Sequence, residues 1–288
     1  MLHAIIDIGS NTIRMAVYQI EGRTFDLLLK RKHTVGLAGY LDKGRLVREG
    51  IEKTVKILRG FTDFIETFGI AHVHAFTTAA LRSATNSRAA VEEITRRTGV
   101  PIRVISGDEE AAYDFIGATQ SIAHADGIMA DIGGGSTEII HYIGHEMRGR
   151  WSLPLGSLAM TKAHVAGLLP TPDECAAIRT AVEAVLEDAF DVRALRARHM
   201  VGMGGVLSSA SRMHRLLYPD ETPRLLRTVH LPAMIDLFGS GRKLSERDTA
   251  VLLRSAPDRL HNIVPGMIIA SVLAETFDAE DILYSDSG

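Results

Sequence analysis

The sequence predicts a two-domain α/β protein built by duplication, and three observations carry that prediction. First, the segment Ile6-Asp7-Ile8-Gly9-Ser10-Asn11-Thr12 resembles Ala130-Asp131-Ile132-Gly133-Gly134-Gly135-Ser136, and one offset of 124 residues relates Asp7 to Asp131, Gly9 to Gly133 and Tyr18 to Tyr142 without a gap. Second, each copy is an apolar strand ending in Asp-x-Gly, a turn of small residues and a second strand, the pattern of a tight hairpin. Third, each hairpin runs into another strand and then into alternating strands and helices. The domains are expected over 1–124 and 125–288, with the boundary near His124 to Gly127.

The elements follow in order. After the first hairpin, a third strand is expected near Phe25 to Lys30. Arg45 to Phe68 places Ile51, Val55, Leu58, Phe61 and Ile65 at helical spacing. Ala71 to Phe76 reads as a buried strand, Ser87 to Thr98 as a helix capped by Ser87, and Arg103 to Ile105 as a short strand. Asp108 to Ser121 reads as a helix whose three leading acids suit the positive end of its dipole. In the second half, Thr137 to Ile143 and Glu146 to Leu153 complete the hairpin and its third strand. Pro172 to Val192 is a helix with Thr171 as N-cap and Pro172 in its first turn. A strand ending at Met200 to Gly202, a helix from about Leu207, an apolar helix over Pro265 to Phe277 and a strand over Ile282 to Tyr284 close the chain.

Composition narrows the function classes. With 288 residues, 46% apolar and 23% charged, the chain has globular proportions. A net charge of -3 argues against a general nucleic-acid binder, because phosphate backbones are held by clustered Lys and Arg. It still permits a polyanion held in one local cationic cleft. The longest apolar stretch, Ile263 to Leu273, contains Pro265 and Gly266 and falls short of a membrane span, and no basic leader precedes the first strand. The single cysteine, Cys175, allows no intrachain disulfide and no cysteine zinc cluster, which suits a reducing cytoplasm. Lying at a helix start with no companion, it reads as inert, and the twelve histidines show no metal-ligand spacing; His72 and His74 read as structural or solvated.

The motifs each have a plain structural reading and a chemical one. One Asp-x-Gly turn is an ordinary hairpin, but two at a fixed offset would present facing backbone amides, which suit phosphate. Met203-Gly204-Gly205 after a strand is a third candidate loop, at a helix N-terminus. Arg82, among small residues of Thr78 to Asn86, is equally a solvated arginine or a fork for phosphate oxygens. In Ser106-Gly107-Asp108-Glu109-Glu110-Ala111, the acids are a favourable helix start or supply one carboxylate that polarises water. Asp131 and Glu138 could share a Mg²⁺ if both reach the cleft.

Together these segments resemble the exopolyphosphatase/guanosine pentaphosphate phosphohydrolase (Ppx/GppA) family. The likeness rests on Asp7 to Thr12, Thr78 to Asn86, Ile105 to Ala111, Asp131 to Glu138, Pro154-Leu155-Gly156, Val264-Pro265-Gly266 and Ser285-Asp286-Ser287-Gly288. It implies two duplicated actin-like (ASKHA, ribonuclease H-like) domains with a cleft between them. It implies Glu110 as the base that activates water, and Asp131 and Glu138 as metal carboxylates for Mg²⁺. It assigns phosphate contacts to Asp7, Ser10, Asn11, Arg82, Gly133, Gly134, Gly135, Ser136 and Gly204. The expected reaction is release of terminal orthophosphate from linear polyphosphate, with guanosine pentaphosphate as the alternative substrate at the same site. Arg14, Lys162, Arg212 and Arg215 are candidates for a cationic track. A homodimer is expected by the same likeness.

Two departures stand out. Val206 follows Gly205 where the family usually has Thr or Ser, and the chain stops at Gly288, short of the Leu-Arg-Glu-Gly helix and the further helical domain of longer relatives. A short two-domain form is therefore expected. Two other classes share the superfold: a small-molecule kinase, which needs adenosine and acceptor pockets, and a non-catalytic polymer or regulatory nucleotide or polyphosphate binder.

Overall fold

The computed structural model describes residues 1–288 except 23, 119–123, 223 and 286–288. Contacts divide the chain into two compact units, Met1–Ser106 and Gly107–Gly288.

The first unit opens with β1 (Leu2–Ile8), β2 (Thr12–Glu21) and β3 (Thr24–Thr34), followed by the short pair β4 (Leu41–Asp42) and β5 (Arg45–Leu46). Then come α1 (Arg48–Thr67), β6 (His72–Thr77), α2 (Ala79–Arg82), α3 (Ser87–Thr98) and β7 (Ile102–Val104). The sheet order is β3-β2-β1-β6-β7. The hairpin strands pair antiparallel, whereas β6 and β7 join parallel. Alternation in β1 and β2 buries Ile6, Ile8, Ile13 and Met15, and α1 lays Val55, Leu58, Phe61 and Ile65 against them. The helix expected from Arg45 starts at Arg48, because Arg45 and Leu46 pair with Leu41 and Asp42. Asn86, rather than Ser87, holds the N-cap position of α3, and its side chain bonds Leu46 N and O instead of the helix. Strand β3 is the outer edge and is longer than expected, and Phe25, Leu27 and Leu28 on it are about half exposed.

The second unit repeats the plan. It comprises α4 (Gly107–Ala118), β8 (Gly127–Ile132), β9 (Thr137–Ile143), β10 (Glu146–Leu153), α5 (Ser157–His164), α6 (Pro172–Asp188) and α7 (Phe190–Arg193). It continues with β11 (His199–Met203), α8 (Gly204–Leu217), β12 (Leu225–Arg227), α9 (Leu231–Phe238), α10 (Glu246–Ser255), α11 (Ile263–Phe277) and β13 (Asp281–Tyr284). The order β10-β9-β8-β11-β13-β12 again places an antiparallel hairpin beside parallel strands, so both halves carry the same duplicated α/β plan. Helix α11 is almost wholly apolar and is buried on every side from Ile263 to Ala274, each fully buried Ile, Leu, Val, Phe or Met contributing about 1.5–3 kcal/mol. Thr171 caps α6 in a capping box with Glu174.

The repeat restarts near residue 124, but the contacts assign α4 to the second unit, because Ala111, Phe115 and Ala118 pack on Met129, Ile140 and Tyr142. The end of that helix expected at Ser121 lies outside the described residues, as do residues 286–288 of the C-terminal motif. No helix among the described residues is long and apolar enough to cross a membrane.

Candidate active site

The hairpin register of the second unit builds the site. Asp131 on β8 lies opposite Glu138 on β9, and Ser152 on β10 lies opposite Glu138 from the other side. Residues directly opposite one another share a sheet face, so Asp131, Glu138 and Ser152 form one row across three strands. Glu138 is only 1% exposed, and Ser136 Oγ and Ser152 Oγ both donate to its Oε1, at 2.8 and 2.7 Å. Burial pushes the Glu138 carboxyl up to about 8, reinforced by the charges of Glu110 and then Asp131 and opposed by the two hydroxyls. The packing of Ala111 and Phe115 on β8 and β9 is what brings the first turn of α4, with Glu110, within electrostatic reach.

The glycine turn is fixed through its carbonyls. Gly133 N–H closes the turn on Ser136 O at 3.0 Å. Gly133 O accepts from Ser157 N and Oγ at 3.0 and 3.1 Å, and Gly134 O accepts from Leu158 N and Ala159 N at 3.0 and 3.1 Å. The amide on the far side of a planar trans peptide points opposite its carbonyl, so the N–H groups of Gly134 and Gly135 point away from α5. Gly156 permits this docking: a Cβ there would run into the Gly134–Gly135 backbone. This contact gives the Pro154-Leu155-Gly156 motif its local purpose.

The third loop begins α8 three residues earlier than the expected Leu207. Gly204 has φ +81, and a Cβ on it would fall on the Asp131 carboxylate. A Cβ on Gly205 would occupy the place of the Arg259 guanidinium. Val206 is fully buried, and its methyls fill the space above Gly266 in Val264-Pro265-Gly266. Its role is packing, so the hydroxyl usual in the family is replaced by a core contact.

The corresponding hairpin of the first unit is chemically different. Arg14 faces Asp7 across β1 and β2, with Nε and Nη2 at 3.1 and 3.0 Å from Oδ2. Burial raises the Asp7 pKa, and the Arg14 charge opposes the shift. The offset of 124 that equates Asp7 with Asp131 equates Arg14 with Glu138. Ser10 O accepts from Ala38 N, and Asn11 O accepts from Val35 N and Gly36 N, repeating the tie-back of the second turn. Asn11 is 5% exposed, and neither end of its side-chain amide makes a hydrogen bond within the described protein. Arg82 Nη1 donates to Ile105 O at 3.3 Å.

Sequence reasoning missed three residues that the fold brings in: Ser152, Ser157 and Arg259. Each is joined to the site by tertiary contact rather than by motif spacing, and only the register of β9 against β10 could have signalled Ser152. Of the proposed track residues, Arg14 is engaged by Asp7, and Arg212 is spent on Ser208 Oγ, Ser209 Oγ and Ser255 O. His72 and His74 are exposed and flank His3 on the sheet face, with the His3 and His72 rings stacked at 4.5 Å. Burial pushes the half-buried Cys175 thiol up to about 11, away from the reactive thiolate.

The donors suit a hard cation. Asp131 and Glu138 offer carboxylate oxygen, the ligand type of Mg²⁺. Among the described residues, no three Asp, Glu, His or Cys side chains form a closed metal cage. Mg²⁺ needs none, since it is ordinarily held by one or two carboxylates together with waters and phosphate oxygens.

The chain matches the Ppx/GppA phosphatase family over residues 16–288. It belongs to that family. Among its relatives, exopolyphosphatase 1 of Mycobacterium tuberculosis is 26% identical over 96% of this chain and 83% of that protein. A guanosine-5'-triphosphate,3'-diphosphate pyrophosphatase of Aeromonas hydrophila is 31% identical over 98% of this chain, which spans 56% of that longer protein. The crystal structure of the Ppx/GppA member from Aquifex aeolicus is 26% identical and matches with a TM-score of 0.77 over all of this chain and 94% of the other. The fold is shared with an exopolyphosphatase from Cytophaga hutchinsonii at a TM-score of 0.83 and 22% identity, over 99% and 94% of the two chains.

Proposed function

We propose that this Ppx/GppA member hydrolyses the terminal phosphoanhydride of linear inorganic polyphosphate. The observation that supports this reading best is the carboxylate row of Asp131 and Glu138, with Glu110 close enough to be felt electrostatically, beside a turn whose amides are directed away from its own helix. In this reading the amides of Gly134, Gly135 and the Gly204 loop bind oxygens of the terminal phosphate. Gly133 shapes that turn and Ser136 lies at its end. Within the first unit, the family likeness assigns phosphate contacts to Asp7, Ser10, Asn11 and Arg82, and the buried side-chain amide of Asn11 would gain from such a contact the partners it lacks among the described residues. Mg²⁺ held by Asp131 and Glu138 would neutralise charge on the phosphate oxygens.

Glu110 orients a water and accepts its proton as the water oxygen bonds to the terminal phosphorus. The bridging P–O bond breaks, and the shortened chain leaves with the electron pair. Such a reaction asks mainly for positioning and charge stabilisation, which fixed amides and a fixed carboxylate supply.

The identity to the Aeromonas pyrophosphatase favours a second reading, the same cleavage on guanosine pentaphosphate. The reading also takes the protein as cytoplasmic, in line with its single cysteine, and as a homodimer on the family likeness alone. The test compares phosphate release with Mg²⁺ from long-chain polyphosphate, guanosine pentaphosphate and ATP. Glu110→Gln is expected to lose about 10²- to 10⁴-fold in rate while retaining substrate binding. Undiminished turnover by that variant removes Glu110 from the mechanism, and absence of release from the first two substrates removes the proposal.

A further inference from the structure

We propose that Ser152 is a positioning residue for Glu138: with Ser136 it forms a two-hydroxyl clamp that fixes one carboxylate oxygen and so orients the group for a divalent cation. This rests on the proposed function and adds a residue that neither the motifs nor the family likeness supplies.

The clamp is built from two separate backbones. Ser136 ends the glycine turn, and Ser152 sits on β10 at the register position facing Glu138. Both hydroxyls converge on Oε1, at 2.8 and 2.7 Å. A carboxylate oxygen offers two lone-pair directions, so two donors occupy Oε1 and set the rotation of the carboxylate plane.

Packing gives little reason for a serine at this place. Its neighbours Trp151 and Leu153 carry their side chains to the opposite face of the sheet, into the apolar cluster there, whereas Ser152 shares the face of Glu138, where a β-branched or aromatic side chain would bury more surface. What serine supplies there is a short hydroxyl directed at Glu138. The arrangement also specifies the use of Ser136. A hydroxyl has one proton, and while that of Ser136 is donated to Glu138 it is not available to an ionised phosphate oxygen, which only accepts. The Ser136 hydroxyl therefore acts through Glu138.

A satisfied buried carboxylate could have two hydroxyl partners for stability alone, and cation binding separates the two roles. Mn²⁺ is titrated into the full chain without substrate and followed by electron paramagnetic resonance, for wild type, Ser152→Ala, Ser152→Thr and Ser152→Val. Outer-shell partners of metal ligands are typically worth 10- to 100-fold in affinity, and Ser152→Ala is expected to weaken Mn²⁺ binding by about that factor. The KM for polyphosphate at saturating cation should move by less than about twofold, a limit set well below that outer-shell factor. Thr and Val have nearly the same shape and differ by the hydroxyl, so Thr is expected to bind near wild type and Val like Ala, a comparison that holds even if the alanine variant folds poorly. Wild-type affinity in both Ala and Val variants overturns the inference while leaving the proposed function intact. A wild-type protein that neither binds Mn²⁺ nor releases phosphate overturns both.

Discussion

Arg14 and Glu138 occupy the same place in two copies of one hairpin, and their opposite charges give the copies opposite characters. In the first, Asp7 is answered by a guanidinium; in the second, Asp131 is joined by another carboxylate in a buried setting. The second arrangement costs stability when no cation is bound. A carboxyl whose folded pKa stands near 8, against 4.5 for the ordinary group, favours the folded state while protonated and loses that contribution as pH rises from about 4.5 through about 8. Glu138→Gln should therefore be more thermostable than the cation-free wild type at pH 8.5, by about 2–4 °C for each kcal/mol recovered, and indistinguishable from it near pH 4. Calorimetry in chelator at the two pH values checks this; equal melting temperatures at pH 8.5 would contradict the electrostatic account. The same variant should lose phosphate release, so stability and activity move in opposite directions at one residue.

At the scale of elements, the glycine turn and α5 form one unit, because the turn's carbonyls are the acceptors for the first amides of the helix. Gly156→Ala would push a Cβ into the Gly134–Gly135 backbone, and neither segment can yield without breaking those bonds. The expected cost is about 1–3 kcal/mol by overpacking, with a larger proportional loss of activity than of stability, since the amides of the turn are redirected. Unfolding and phosphate release measured on the same preparation check it, and a destabilised variant with wild-type turnover would detach the turn from catalysis. Much at this scale was legible in sequence. The hairpins, the strand–helix alternation, the Thr171 cap and the buried last helix follow from periodicity, capping chemistry and the fixed offset. Helix α5 was not legible, since its start is set by acceptors in a distant turn. The start of α8 was obscured by Gly204 and Gly205, which disfavour helix locally but are required by Asp131 and Arg259. Asp131 and Glu138 could be named as candidates from sequence, while their shared face needed the register and Ser152 needed a third strand.

At the scale of the whole molecule, the two sheets end differently. The first finishes in β3, exposed along nearly all of its eleven residues, with Phe25, Leu27 and Leu28 about half exposed and Lys30, Arg31 and Lys32 following after Leu29. An open strand edge is a template for another chain, and a run of positive charge guards it, because two copies aligning there bring like charges together. That guard works through the solvent, and its reach contracts from roughly 10 Å at 0.1 M salt to roughly 3 Å at 1 M. Light scattering against ionic strength should therefore show association increasing with salt, the reverse of an assembly held by ion pairs, and Leu28→Lys should suppress the rise. An edge that is kept apart by charge makes the colloidal behaviour of this protein a property of its counterions as much as of its fold.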